Sequence, residues 1–178
     1  MRSLVLAVVA LLVGVVSFPA TAEVLRGTGG WVGFSSRTLT REWVIVNDGT
    51  LPARLVDMKI ETRVDDRRWV YDISYNIDVT EAITAIEVRS IPFSIWGETD
   101  RTLSATEIKD MAPGPHGLSG TWRILSENDA VEHYAMLGYV AQVKLATGAV
   151  LKADVSAVVK AAQEFSEDFT SDDLAKKA

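Results

Sequence analysis

The chain has 178 residues, with 24 acidic side chains against 18 basic ones, a net charge of −6 and no cysteine. Disulfides, Cys-ligated zinc, thiol catalysis and a lipid-modified N-terminal Cys are therefore excluded. No basic run is longer than Arg67-Arg68, so nucleic acid and anionic membrane surfaces, which select clustered cations, are not expected partners.

Met1, Arg2 and Ser3 precede an apolar run at 4–16, and residues 17–22 follow it. That order is the order of a secretory signal. The run is shorter than the ~20 residues a helix needs to cross a ~30 Å bilayer core, so no permanent membrane anchor is expected. Pro19 interrupts a helix, and Ala20-Thr21-Ala22 carries small residues at the spacing of a cleavage site. The sequence predicts a signal peptide over 1–22, a cut between Ala22 and Glu23, and a periplasmic or secreted product.

Residues 23–40 read as a glycine-rich, flexible lead segment in which Trp31 docks on the core. Within it Gly29-Gly30-Trp31 is similar to the G-x-W near the start of lipocalins. That resemblance implies an alternative, a small-ligand carrier whose helix closes against an eight-stranded barrel.

Strands are predicted at 43–46 and 54–60, separated by Asn47-Asp48-Gly49. Those three residues supply only a fragment of a calcium loop, and a hairpin turn is expected there. Asp65-Asp66 reads as the turn before the clearest period in the chain. Trp69, Tyr71, Ile73, Tyr75, Ile77 and Val79 alternate with Asp72, Ser74, Asn76 and Asp78, the pattern of an antiparallel strand with one wet face.

Ile86 and Val88 then alternate with Glu87 and Arg89, but the phase slips by one at Ser90-Ile91-Pro92 before Phe93 and Ile95. A slip beside a proline predicts a β-bulge or an edge position. Further strands are expected at 103–108 and 121–125, with Pro113-Gly114-Pro115 as a breaker between them. The run 133–145 is apolar on both faces, with Ala135, Leu137, Tyr139, Ala141 and Val143 on one side and Met136, Gly138 and Val140 on the other. It should lie centrally, covered twice. Ala146-Thr147-Gly148 closes a hairpin onto 149–152.

At Asp154, an N-cap residue, the period becomes helical through Val155, Val158, Val159, Ala162 and Phe165. Residues 166–178 form a short polar tail, expected to be mobile at its end.

Chemistry has little warrant. His116 and His133 form no H-E-x-x-H pair, no G-x-S-x-G elbow supports a Ser-His-Asp arrangement, and no nucleotide-binding glycine motif occurs. Of the candidate carboxylate pairs, Glu98 and Asp100 lie in a turn where solvated acids are common. Asp72 and Asp78 share a strand face but sit ~20 Å apart along it. No catalytic residue, metal site or cofactor is expected.

Phe93-Ser94-Ile95-Trp96-Gly97 resembles the F-x-L-Y-D core of FxLYD-type domains, with Gly97 in place of the Asp. The strand holding Tyr75, Asn76 and Ile77, then Ile86 to Val88, then Ala112-Pro113-Gly114 follow that family's order, so the resemblance spans about 70–125. It implies a small immunoglobulin- or fibronectin-like β-sandwich of the bacterial cell envelope, without shared catalytic residues.

The expected architecture is thus mainly β: signal peptide 1–22, lead segment 23–40, antiparallel β-sandwich 41–154, C-terminal α-helix and polar tail 155–178. The expected function is an exported, non-enzymatic cell-envelope module, protein-binding or structural, whose partner, another envelope protein, the sequence does not identify. Five tryptophans, Trp31, Trp43, Trp69, Trp96 and Trp122, motivate it. Trp69 is in phase with the buried face, while Trp31 and Trp96 lie at segment ends and are the surface candidates. A carrier would instead need an enclosed apolar cavity of at least ~300 Å³.

Overall fold

The computed structural model describes residues 22–32, 38–99, 101–124 and 127–175. Residues 1–21 of the expected signal peptide, Asp100 and Leu125 lie outside them. Among the described residues nine strands form: β1 (Glu23–Val32), β2 (Thr38–Asn47), β3 (Ala53–Asp65), β4 (Arg68–Val79), β5 (Ile83–Ser94), β6 (Leu103–Met111), β7 (Gly114–Arg123), β8 (His133–Leu145) and β9 (Val150–Lys152). Two short helices, α1 (Glu127–Glu132) and α2 (Ser156–Ala162), flank the last strand pair.

The strands make two sheets, one ordered β1-β2-β8-β5-β6 with β9 added to β8, the other β3-β4-β7. They share one core. Leu55, Met58, Tyr71, Ile73, Tyr75 and Ile77 of the smaller sheet meet Ile45, Ile86, Val88, Met136 and Val140 of the larger. Alternation in β4 works as its sequence implies: Tyr71, Ile73, Tyr75, Ile77 and Val79 are at most 2% exposed, and Trp69 packs half-buried beside them. No closed barrel forms among the described residues, so the G-x-W resemblance does not carry its barrel with it.

Strand β2 shows how the core is closed. Its inward residues are Arg41, Trp43, Ile45 and Asn47, so polar groups sit at both ends of an apolar row. Asn47 Nδ2 donates to Leu55 O at 2.9 Å and Asn47 Oδ1 accepts the Leu55 N–H at 2.8 Å. A buried side-chain amide thus continues the ladder between sheets where backbone pairing ends.

The segment expected to be a flexible lead is strand β1 and the first part of β2. Residues 23–32 pair antiparallel with 38–47 in unbroken register, and the sheet begins at Glu23 rather than at residue 41. Glycine permits it: Gly27 lies opposite Trp43, whose ring occupies the space of a Cβ at Gly27. One pair also departs from the expected antiparallel pattern, because β2 runs parallel to β8 from Glu42↔Ala135 to Ile45↔Gly138.

The apolar phase slip in β5 has a cause other than a bulge. Register is continuous from Val88↔Val140 to Phe93↔Ala135. What changes is the cover: Ile86 and Val88 face the smaller sheet, whereas Ile91 and Phe93 face outward beneath the C-terminal segment. Pro92 does lie beyond the last β5–β6 pair, Ser90↔Leu103, where its missing N–H breaks no ladder bond with β6.

A true irregularity sits opposite Glu87 and Val88, which pair with Gln142 and Val140. The extra residue, Ala141, swings Val143 into the inter-sheet core instead of onto the Tyr139 face. This corrects the expected side for Val143, while β8 remains central and covered twice.

The C-terminal segment is that second cover. Asp154 Oδ1 accepts the Ser156 N–H at 2.9 Å just before α2. Val158, Ala161 and Ala162 of α2 pack on Val44, Val46, Leu137 and Tyr139. The tail beyond α2 is packed within the described residues, with Phe169 2% and Leu174 5% exposed, while the end expected to be mobile, 176–178, lies outside them. Phe165 stacks on Phe93 at 5.2 Å between ring centroids.

The β3–β4 hairpin turns at Asp66-Arg67, one residue later than expected, with φ of 42° and 62° between the paired Asp65 and Arg68. Two positive φ values in a two-residue loop are what a type I′ turn requires, and glycine tolerates the second position better than arginine. Arg67→Gly should raise stability by about 1 kcal/mol, read as a higher urea midpoint at unchanged slope. Asn47→Ala should lower it by roughly 2–3 kcal/mol, because the Leu55 N–H and C=O lose their partner in a buried setting; loss below about 1 kcal/mol would show that the ladder there is solvated.

Candidate functional site

The predicted surface residue Trp96 occupies the turn that ends β5, and its geometry is built. Ser94 O accepts the Gly97 N–H at 3.0 Å, which closes the turn, and Ser94 N donates to Glu98 O at 2.9 Å. Ser94 Oγ accepts the Trp96 and Glu98 N–H groups, each at 3.2 Å. Ile95 N donates to Glu132 O at 2.9 Å, fastening the turn to the end of α1. Gly97 has φ +76°, and a Cβ there would lie 2.9 Å from Phe165 O.

These contacts fix the backbone and leave the two central side chains outside it. Ile95 is 56% and Trp96 70% exposed. Adjacent large apolar groups on a fixed turn present dewettable surface without the entropy cost of ordering a loop. Ser94, by contrast, is buried and serves only as a hydrogen-bond hub.

Trp31, the other predicted surface residue, is placed only by its backbone, opposite Leu39 in the β1–β2 register; its side chain lies outside the described part. Ala22 is exposed, and Glu23 opens β1. The remaining tryptophans Trp43, Trp69 and Trp122 pack half-buried against the inter-sheet core.

The acidic and histidine candidates have structural partners. Asp72 accepts from Thr121 Oγ1 at 2.6 Å and pairs with Arg63. The Thr121 bond, aided by Arg63, holds its carboxyl below the usual range. Asp78 pairs with Arg54 at 3.1 Å on the same outer face. Glu98 is exposed in the turn, and its candidate partner Asp100 lies outside the described residues. His116 Nε2 bonds Ala112 O at 2.7 Å.

His133 is buried and hydrogen-bonds through Nδ1 to the Tyr71 hydroxyl. Above the Tyr71 ring, 5.5 Å from its centroid, stands the Arg41 guanidinium. Arg41 donates to Thr62 Oγ1 at 2.7 Å and to Ala130 O at 2.6 Å. Burial lowers its pKa, with Tyr71 acting in the other direction. Tyr71 is 1% and His133 8% exposed, and the Arg41–Ala130 bond fastens α1 to the end of the core. Among the described residues, no three His, Asp or Glu side chains converge as metal ligands would.

Between the sheets the buried side chains of both form one packed cluster. Depressions of about 230–240 Å³ lie on the outer surfaces of the larger sheet, and one of about 430 Å³ on the smaller sheet beside Arg54, Asn76 and His116. No helix among the described residues is long and apolar enough to cross a membrane.

Sequence reasoning found Trp96 as a segment end but missed Ser94, Gly97 and Phe165 as its supports. A serine three residues before a glycine at a strand end was the available signal. Arg41 was also legible in principle, since it shares the phase of Trp43 and Ile45. No protein-family model matches the chain, and neither the curated proteins nor the solved structures include one similar to it.

Gly97→Ala tests the turn. The positive φ and the close Phe165 carbonyl together predict a loss of about 1–3 kcal/mol, with Trp96 fluorescence changed in the folded protein. A variant as stable as the parent would show that the turn is not braced by the C-terminal segment.

Proposed function

We propose that this chain is an exported, non-catalytic cell-envelope module that binds another envelope protein through the Ile95-Trp96 turn. The observation that carries the proposal is the pairing of a rigid backbone with a 70% exposed tryptophan. Tryptophan is the side chain most often found at the energetic centre of protein interfaces, where one large ring fills a partner's pocket. Solvation of such a ring on a loop with no partner would serve no purpose in stability.

The strand order supports an immunoglobulin-like β-sandwich. β3-β4-β7 against β6-β5-β8-β9 follows the order A-B-E against C′-C-F-G of that fold. The β1–β2 hairpin is then an addition, paired with β8 on the side where β9 is too short to reach. On this reading the FxLYD-like segment ends strand C, with Phe93 as a core anchor and Ile95-Trp96 as the displayed pair.

A photo-reactive phenylalanine analogue at position 96, introduced into the full chain in its native host, should yield a discrete adduct on irradiation. The same analogue at Val64, which is 51% exposed on β3, should not. Ile95→Ser should weaken the adduct at 96 by at least about threefold, the loss of one buried apolar side chain being worth ~1 kcal/mol or more. Equal adducts from both positions, or none from 96, would sink the proposal.

A further inference from the structure

The β1–β2 register sets Glu23 opposite Asn47, which brings the preceding residue to the Asp48 turn. Ala22, Asp48, Asp154, Ser156 and Tyr139 line one cavity of about 230 Å³ beside α2. Three separated parts of the chain therefore meet there: the start of β1, the β2–β3 connection and the start of the C-terminal segment.

Both carboxylates are held in place. Asp48 Oδ1 accepts the Thr50 N–H at 2.8 Å and its hydroxyl at 2.7 Å, and Asp48 Oδ2 accepts the Asp154 N–H at 2.6 Å. Asp154 Oδ1 accepts the N–H and hydroxyl of Ser156 at 2.9 and 2.7 Å; these bonds hold its carboxyl below the usual range. A carboxylate offers about four acceptor sites, so each retains capacity. The Tyr139 side chain, 1% exposed, forms part of the wall, and its charged neighbour is Arg89, opposite it in the β5–β8 register.

We propose that this cavity receives the chain's own α-ammonium, made at Glu23 when the bond after Ala22 is cut, and that the ion pair with Asp48 and Asp154 locks the mature fold. The proposal rests on the export reading above. Cleavage by a processing peptidase specific for small residues consumes one water, leaving a carboxylate on Ala22 and an ammonium on Glu23. Before the cut that nitrogen is a neutral amide with one N–H; afterwards it carries a positive charge and three donors. Loss of Ala22 also removes one side of the cavity. Strand β1 already has a second tie to the same segment, the Arg26–Glu164 pair, so the new ion pair would complete a two-point clasp between the edge strand and the outer cover.

The test compares residues 23–178, released with a native Glu23 from a cleavable fusion, with residues 20–178, which retain Ala20-Thr21-Ala22. Retention should raise the unfolding equilibrium constant about fivefold near pH 7, the upper range for a solvent-accessible pair, and less than about twofold in Asp48→Asn or Asp154→Asn backgrounds. NMR titration should place the Glu23 amino group above the ~7.7–8.0 of an ordinary α-ammonium. A raised pKa gives stability that is complete below the unfolded value and lost as pH rises through the folded one, so the difference should vanish in the alkaline range. Equal effects of retention in all backgrounds, or an unshifted amino group, overturn the ion pair. Protein recovered from the host with an N-terminus other than Glu23 removes the export premise, and with it the proposal.

Discussion

Strand β8 is apolar on both faces, and no sheet containing it is stable in water until each face is covered. The smaller sheet covers the inner face, where Met136, Val140 and Val143 meet the Tyr71–Val79 row. The outer face, with Ala135, Leu137 and Tyr139, is left to α2 and the chain that follows it. Fully burying a Phe or Leu side chain is worth about 1.5–3 kcal/mol, so Phe169 and Leu174 suffice to hold an otherwise acidic tail against the sheet. The C-terminal segment is therefore part of the core, and the boundary at 154/155 separates two patterns of sequence rather than two bodies.

That constraint explains which parts of the fold were legible. Strand β4 was clear because its outer face meets only water, so polarity and backbone period agree. In β5 they disagree: the apolar phase follows whichever face is covered, and the cover changes sides halfway along the strand. A pattern made by two covers resembles a bulge in one dimension. The irregularity at Ala141 was hidden because both faces of β8 are apolar and no polarity marks the shift.

Direction and partner of a strand are also absent from local sequence. The parallel β2–β8 pair depends on the N-terminal hairpin filling the part of β8 that β9 does not reach. Strand β1 was obscured by its own glycines, which lower strand propensity yet are needed where the Trp43 ring crosses Gly27. The tail was misread for a similar reason: composition averages Phe169 and Leu174 into acidic surroundings, while packing depends on where those two side chains fall. Trp96 could be picked out as a segment end, and the Ser94 bonds that close its turn are local, but the Ile95–Glu132 bond and the close Phe165 carbonyl that tie the turn down come from positions distant in sequence.

Those distant contacts also decide what the turn can do. Ser94 is held between its own loop and the Ile95–Glu132 bond, Glu132 ends a helix whose neighbour Ala130 is gripped by buried Arg41, and Gly97 rests on the Phe165 carbonyl. Phe165 in turn stacks on Phe93. The displayed Ile95-Trp96 pair is thus anchored from the core, from α1 and from the outer cover at once. A partner binding there meets a surface whose backbone order has already been established by folding, so little of the contact energy is lost to ordering the loop. The same wiring runs in reverse: any event that loosens the C-terminal cover releases Phe165 and one side of the turn, and on the proposed binding role affinity at the tip would follow the packing of the outer face of β8.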